Sequence, residues 1–181
     1  LLDGGAHVLL VAPRRVGKTS LMRELGRRLT GSHRCLFVDL EGAQSAADAV
    51  AELSLATRVH QSLWKRTQDV FRGLLDNVDS VGAYEISIKL REGTASGWQT
   101  RGQRLLDSLA QHDEPVIIFM DELPILINRM LKGDDYNITP ARRREADVFL
   151  SFLRAQMSKR QSQWRFVAAG SIGLEPVLRQ A

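Results

Sequence analysis

The sequence predicts an α/β fold built around a mainly parallel sheet, and three observations carry that expectation. Four short apolar runs, at 7–12, 35–40, 116–120 and 165–169, are continuous instead of alternating, the pattern of strands buried on both faces. Segments with helical periodicity separate them. Polar and charged residues collect just after the runs, whose interiors are nearly free of them. Strand and helix succeeding one another in this way form right-handed crossovers over a parallel sheet. Such sheets bind ligands beyond the carboxyl ends of their strands.

The elements follow in order. The first run exits into a basic loop, and the helix behind it carries Leu21, Met22, Leu25 and Leu29 on one face, with Arg23, Glu24, Arg27 and Arg28 opposite. The second run exits through Asp39 and Glu41. A stretch rich in Ala and Leu, from about 46 to 76, holds one or two helices. Residues 84–90 alternate strictly, predicting a strand with one wet face, followed by a turn at 93–97 and a helix over 98–111. The third run exits into Asp121-Glu122. Thr139-Pro140 is a helix start, an N-cap hydroxyl before a proline at the first helical position. That helix runs to about 160 and buries Phe149, Phe152, Leu153 and Met157. The fourth run exits into Gly170-Ser171.

Composition bounds the answer. A chain of 181 residues, 44% hydrophobic and 25% charged, suits one globular domain that needs neither disulfide nor metal to hold its core. Its apolar runs are far shorter than the roughly 20 residues that cross a bilayer. Cys35 has no cysteine partner and reads as a buried thiol in a reducing cytosol. A net charge of +4 permits an acidic partner without requiring one. The chain opens at Leu1 and ends inside an apparent helix at 174–181, so the expectation is a truncated core domain spanning 1–181.

The residues that carry chemistry lie at the strand exits. Between the first run and its helix stand Ala12, Pro13, Arg14, Arg15, Val16, Gly17, Lys18, Thr19 and Ser20. A tight loop opening a helix with Gly-Lys-Thr aims successive backbone N–H groups at phosphate oxygens, at the positive end of a helix dipole. Gly17 lets the backbone come close, Lys18 supplies charge to the β- and γ-phosphates, and the Thr19 hydroxyl ligates Mg²⁺. The usual pattern has glycine where this chain has Ala12, which is tolerable if φ there is negative. The plainer alternative is a chance Gly-Lys-Thr in a surface turn.

Asp121 and Glu122 close a buried run, a costly place for two acids unless they are solvated, paired or bound to a cation. Asp121 then holds the Mg²⁺ hydration shell and Glu122 polarises the attacking water. Acids decorating a helix N-terminus are the alternative. Ser171 reads either as a sensor of the γ-phosphate or water, or as a plain strand-end turn. Asp39 and Glu41 read better as solvated loop acids than as members of a metal shell. Arg142, Arg143 and Arg144 form the sharpest basic cluster. It suits nucleic acid or a neighbouring subunit's nucleotide, although no aromatic residues interleave with it and a solvated helix face is the default. Arg179 is a candidate arginine finger. The four histidines and the cysteine have no metal-ligand spacing.

The stretch 12–21 resembles the Walker A motif of prokaryotic AAA+/STAND-type P-loop ATPases, the archaeal ATPase family. Phe119-Met120-Asp121-Glu122-Leu123-Pro124 resembles their Walker B, and Ala169-Gly170-Ser171-Ile172-Gly173-Leu174 their sensor-1 strand end. Residues 86–90 followed by Trp98 are similar to the segment placed before Walker B. The resemblance implies a three-layer P-loop NTPase with strand order 5-1-4-3-2, its fifth strand, lid and C-terminal region outside this chain. It also implies ATP as the nucleotide, in keeping with the lack of a guanine-reading Asn-Lys-x-Asp motif.

The leading functional expectation is Mg²⁺-dependent ATP binding and hydrolysis in the cytoplasm, driving a conformational change, with a homo-oligomer or protein effector as partner. Two alternatives stand beside it. One is a switch that holds ATP or ADP with negligible turnover; the other is a nucleic-acid module using the arginine cluster, although nothing in the sequence calls for DNA. A small-molecule kinase is disfavoured, since no arginine-rich lid segment appears.

Overall fold

The computed structural model describes residues 6–72, 97–159, 163–171, 175, 177 and 179. The predicted strand at 84–90 and most of the turn after it lie outside the described residues. The four apolar runs become β1 (Val8–Val11), β2 (Arg34–Asp39), β3 (Val116–Asp121) and β4 (Trp164–Gly170). All pair in parallel, in the order β1-β4-β3-β2. The third strand is thus separated from the first by the fourth, as the order 1-4-3-2 within the expected sheet requires.

Helices cover both faces, giving three layers. Strand residues of one parity, Val8, Leu10, Cys35, Ile117, Phe119, Val167 and Ala169, pack with Met22, Leu25 and Leu29 of α1 (Lys18–Leu29). The other parity, including Leu36, Val38, Ile118, Met120 and Phe166, meets the larger helical layer. That layer contains α2 (Ala46–Ala56), α3 (Gln61–Arg72), α4 (Trp98–Ala110), α5 (Leu123–Lys132) and α6 (Pro140–Met157), with a 3-10 turn at Thr57–Val59. Local chemistry sets the helix starts. Ser45 and Asp48 exchange side-chain and backbone hydrogen bonds in a capping box on α2. Thr139 accepts from the Arg142 amide on α6, with Pro140 at the first helical position.

Register positions the functional edge. Val11 lies opposite Gly170, and Asp39 opposite Asp121, so the strands end nearly level. The residues that follow, Ala12, Glu41, Glu122 and Ser171, therefore emerge along a single sheet edge. The Leu40 amide donates to the Asp121 carbonyl at 3.1 Å and extends the ladder one step into the exits.

Some expectations need correction. The four runs are not all buried on both faces. β1 pairs only with β4 among the described residues and alternates half-buried with exposed, leaving Leu9 47% and Val11 53% exposed. In β2, at the other edge of the described sheet, Phe37 is 42% exposed. The last long helix stops at Met157, which is exposed; Ala146 and Gln156 join Phe149 and Leu153 inside, while Phe152 is half-buried. Cys35 is half-buried, its Sγ 3.7 Å from the Gly26 carbonyl, and that burial pushes its thiol pKa up.

Candidate functional site

The loop from β1 to α1 turns on two residues with positive φ, Arg15 at 65° and Gly17 at 91°. Ala12 is not among the residues with positive φ, so alanine costs nothing where the usual motif has glycine. Gly17 is the N-cap of α1 and offers no side-chain cap, and the first turn of α1 holds no acid. The helix thus starts with amides that no side chain caps, at the positive end of its dipole. Lys18 reaches back across the loop, its Nζ donating to the carbonyls of Ala12 at 2.7 Å and Pro13 at 2.8 Å. An ammonium has three N–H donors, so one is left over for a further oxygen.

Opposite the loop stands the exit of β3. The Thr19 hydroxyl donates to Oδ2 of Asp121 in a short hydrogen bond that joins residues 102 positions apart in sequence. Oδ1 of the same carboxylate accepts from the Glu122 amide at 3.1 Å. Glu122 sits in the left-handed region at φ 57° and forms the N-cap of α5, yet its side chain does not cap that helix. Its Oε2 instead accepts from the amide of Ser171 at 2.9 Å and from the Ser171 hydroxyl at 3.0 Å. Arg14 Nε approaches the Ser171 Oγ at 3.5 Å.

Beside these contacts lies a polar cavity of about 420 Å³ lined by Arg14, Arg15, Gly17, Lys18, Thr19, Ser20, Glu41 and Glu122. Its lining brings the cationic Arg14, Arg15 and Lys18 together with the carboxylates of Glu41 and Glu122. A hydroxyl and a carboxylate in contact, both hard oxygen donors, fit Mg²⁺, which binds through one or two protein oxygens and completes its shell with water and phosphate.

Of the sequence-predicted residues, the structure gathers Lys18, Thr19, Asp121, Glu122 and Ser171 at this edge, with Pro13, Arg14, Arg15, Val16, Gly17 and Ser20 in the adjoining loop and helix start. Glu41, read from sequence as a solvated acid, lines the cavity. Its amide donates to Asp39 Oδ1 at 2.9 Å, and its carbonyl accepts from Arg129 on α5, which also reaches the Ala43 carbonyl. Sequence reasoning missed Arg129: an arginine on a mixed helix face carries no local sign of the distant loop it fastens.

The arginine cluster is divided. Arg142 is half-buried and ties the turn between α5 and α6, donating to the carbonyls of Lys132 and Asn137 and pairing with Asp135. That ion pair holds the Asp135 carboxyl below its ordinary value. Arg143 and Arg144 stay exposed. Arg179 pairs with Glu175 one helical turn away at 2.6 Å.

The parallel sheet in the order 1-4-3-2, with a loop and helix following its first strand, defines a P-loop NTPase-like α/β fold. A Walker-type ATPase from Pyrococcus abyssi shares it, with a TM-score of 0.57 and 18% identity, over 98% of this chain and 44% of that one. The Orc1 protein of Aeropyrum pernix, solved in complex with DNA, matches with a TM-score of 0.43 and 13% identity, over 91% of this chain and 33% of its own. The present chain thus spans less than half the length of either protein. No protein-family model and no curated protein sequence matches it.

Proposed function

We propose that this domain binds ATP with Mg²⁺ and hydrolyses it by attack of water on the γ-phosphate. The observation that carries the reading is the contact of the Thr19 hydroxyl with the Asp121 carboxylate, beside a cavity that Lys18, Thr19 and Glu122 line. Loop amides and Lys18 bind the β- and γ-phosphates, with Arg14 and Arg15 adding charge at the loop tip. Thr19 and Asp121 would hold Mg²⁺, which would offset negative charge on the β- and γ-phosphates. Glu122 accepts a proton from water as the water oxygen bonds to the γ-phosphorus. The bond from that phosphorus to the oxygen shared with the β-phosphate breaks, and ADP and inorganic phosphate leave.

Phosphate release measured with ATP and Mg²⁺ tests these assignments. Lys18→Ala should abolish turnover through lost nucleotide binding. Glu122→Gln should keep ATP binding while lowering kcat by about 10²–10⁴-fold, the usual worth of a positioned base. Undiminished turnover in either variant overturns the assignment. Protein that retains ADP and shows no single-turnover chemistry favours a nucleotide-held switch instead.

A further inference from the structure

The cavity beside the basic loop brings together as many carboxylates as cations. Arg14, Arg15 and Lys18 line it from the loop after β1, Glu41 from the exit of β2 and Glu122 from the exit of β3, while Asp121 touches Thr19 beside it. A triphosphate entering alone therefore meets three cations and three acids, and gains little net attraction from them. The acids differ in what the protein offers them. Asp121 accepts from the Thr19 hydroxyl and the Glu122 amide, and Glu122 accepts twice from Ser171. The exposed Glu41 carboxylate accepts no hydrogen bond among the described residues. Its backbone is nonetheless held on both sides, the amide by Asp39 Oδ1 at 2.9 Å and the carbonyl by Arg129 of α5. The Leu40 amide before it is tied to the Asp121 carbonyl at 3.1 Å, and the Ala43 amide after it to the Leu40 carbonyl at 3.2 Å. A fastened loop thus keeps an unpaired negative charge at the phosphate site.

We propose that Glu41 makes this site select metal-bound ATP by repelling the metal-free nucleotide. The role rests on the nucleotide-binding reading above. A protein separates two ligands by repelling the wrong one as well as by attracting the right one. A fixed carboxylate weakens the binding of every anion, but not equally. Mg²⁺ on the β- and γ-oxygens offsets much of the triphosphate's charge, so the Glu41 carboxylate penalises ATP most when the metal is missing. A pair of unit charges about 4 Å apart in water changes an affinity about fivefold. An exposed acid at the rim of a phosphate site acts on that scale, and its effect shrinks as salt rises.

The test is calorimetric binding of a non-hydrolysable ATP analogue to the whole chain, once in EDTA and once in excess Mg²⁺. The ratio of the metal-free Kd to the Mg²⁺ Kd measures the selection. Glu41→Gln should lower that ratio about fivefold at low salt, through tighter metal-free binding, and by less at high salt. Glu41→Lys, which turns repulsion into attraction, should lower it further. Glu41→Asp keeps the charge and should keep a ratio near that of the wild type. A ratio unchanged in both the Gln and Lys variants overturns the role. So does an Asp variant that matches the Gln one, or a change that salt leaves untouched, because either would mean that charge is not the cause. A ratio that falls because binding with Mg²⁺ weakens would make Glu41 a holder of the metal, and overturns repulsion. A wild type that binds equally well in both buffers overturns the selection alone. A wild type that binds in neither overturns the nucleotide-binding reading, and the selection with it.

Discussion

Strain is concentrated at a few residues of the candidate site. Arg15, Gly17 and Glu122 all lie at positive φ, two in the basic loop and one at the exit of β3, whereas elsewhere among the described non-glycine residues only Tyr136 does. Such conformations persist where surrounding contacts over-determine them. Gly17 isolates the backbone contribution, because a Cβ built there meets nothing within 4 Å. Gly17→Ala should therefore cost only the left-handed penalty, about 1–2 kcal/mol, a fall in Tm of about 2–8 °C for a domain of this size. An unchanged melting temperature would show that the loop relaxes without that φ. The glycine was legible from the Gly-Lys-Thr motif, since the motif encodes a local backbone requirement. The strain at Arg15 and Glu122 was not, because neither residue type signals a left-handed conformation. Nor was the bond from Ser171 to Glu122, which joins strand ends 49 positions apart.

At the scale of elements, α1 lies on the sheet through Gly26. A Cβ there would meet Phe37 Cζ at 2.6 Å, and the Phe37 ring is stacked on Phe119 at 4.7 Å and 9°, so it cannot simply swing aside. Gly26→Ala sets two effects against each other. Helix propensity favours alanine by about 1 kcal/mol, while overpacking costs about 1–3 kcal/mol. The single variant should be neutral to about 2 kcal/mol less stable. In a Phe37→Leu background the ring tip is gone, and the same change should stabilise. Urea unfolding of the four proteins gives the coupling, expected at about 1 kcal/mol or more; additive effects would rule out the contact. The apolar periodicity of α1 was readable from sequence, whereas its closeness to the sheet depends on which aromatic ring lies beneath Gly26. Strand burial failed for a related reason. A continuous apolar run reads alike at an edge and at the centre, and only pairing shows that Leu9 and Val11 lie on the exposed side of β1.

The whole molecule is drawn together at the opposite edge of the sheet by His7. Its Nδ1 accepts from the Phe166 amide at 3.0 Å, so its Nε2 carries the proton and donates to the Met157 carbonyl at 3.1 Å. One imidazole thus joins the residue before β1 to β4 and to the end of α6, with its ring against Trp164 and Phe166 at 5.7 and 5.9 Å. Burial is the main force pushing its pKa below the ordinary histidine value of 6.5; the Met157 carbonyl opposes that shift and Arg165 adds to it. A proton on Nδ1 would face the Phe166 amide donor and remove the bond to β4. Between the ordinary value and the lower folded one, the unfolded chain therefore binds more protons than the native one. Stability from this group is complete above about pH 6.5 and is lost as pH falls through the folded pKa. Thermal unfolding from pH 7.5 to 5 should show the wild-type Tm falling in the lower part of that range. His7→Gln, with no proton to gain, should start lower at pH 7.5 and fall less steeply. Parallel curves for the two proteins would show that the pH dependence belongs to other groups and that His7 is not the clasp between β1, β4 and α6.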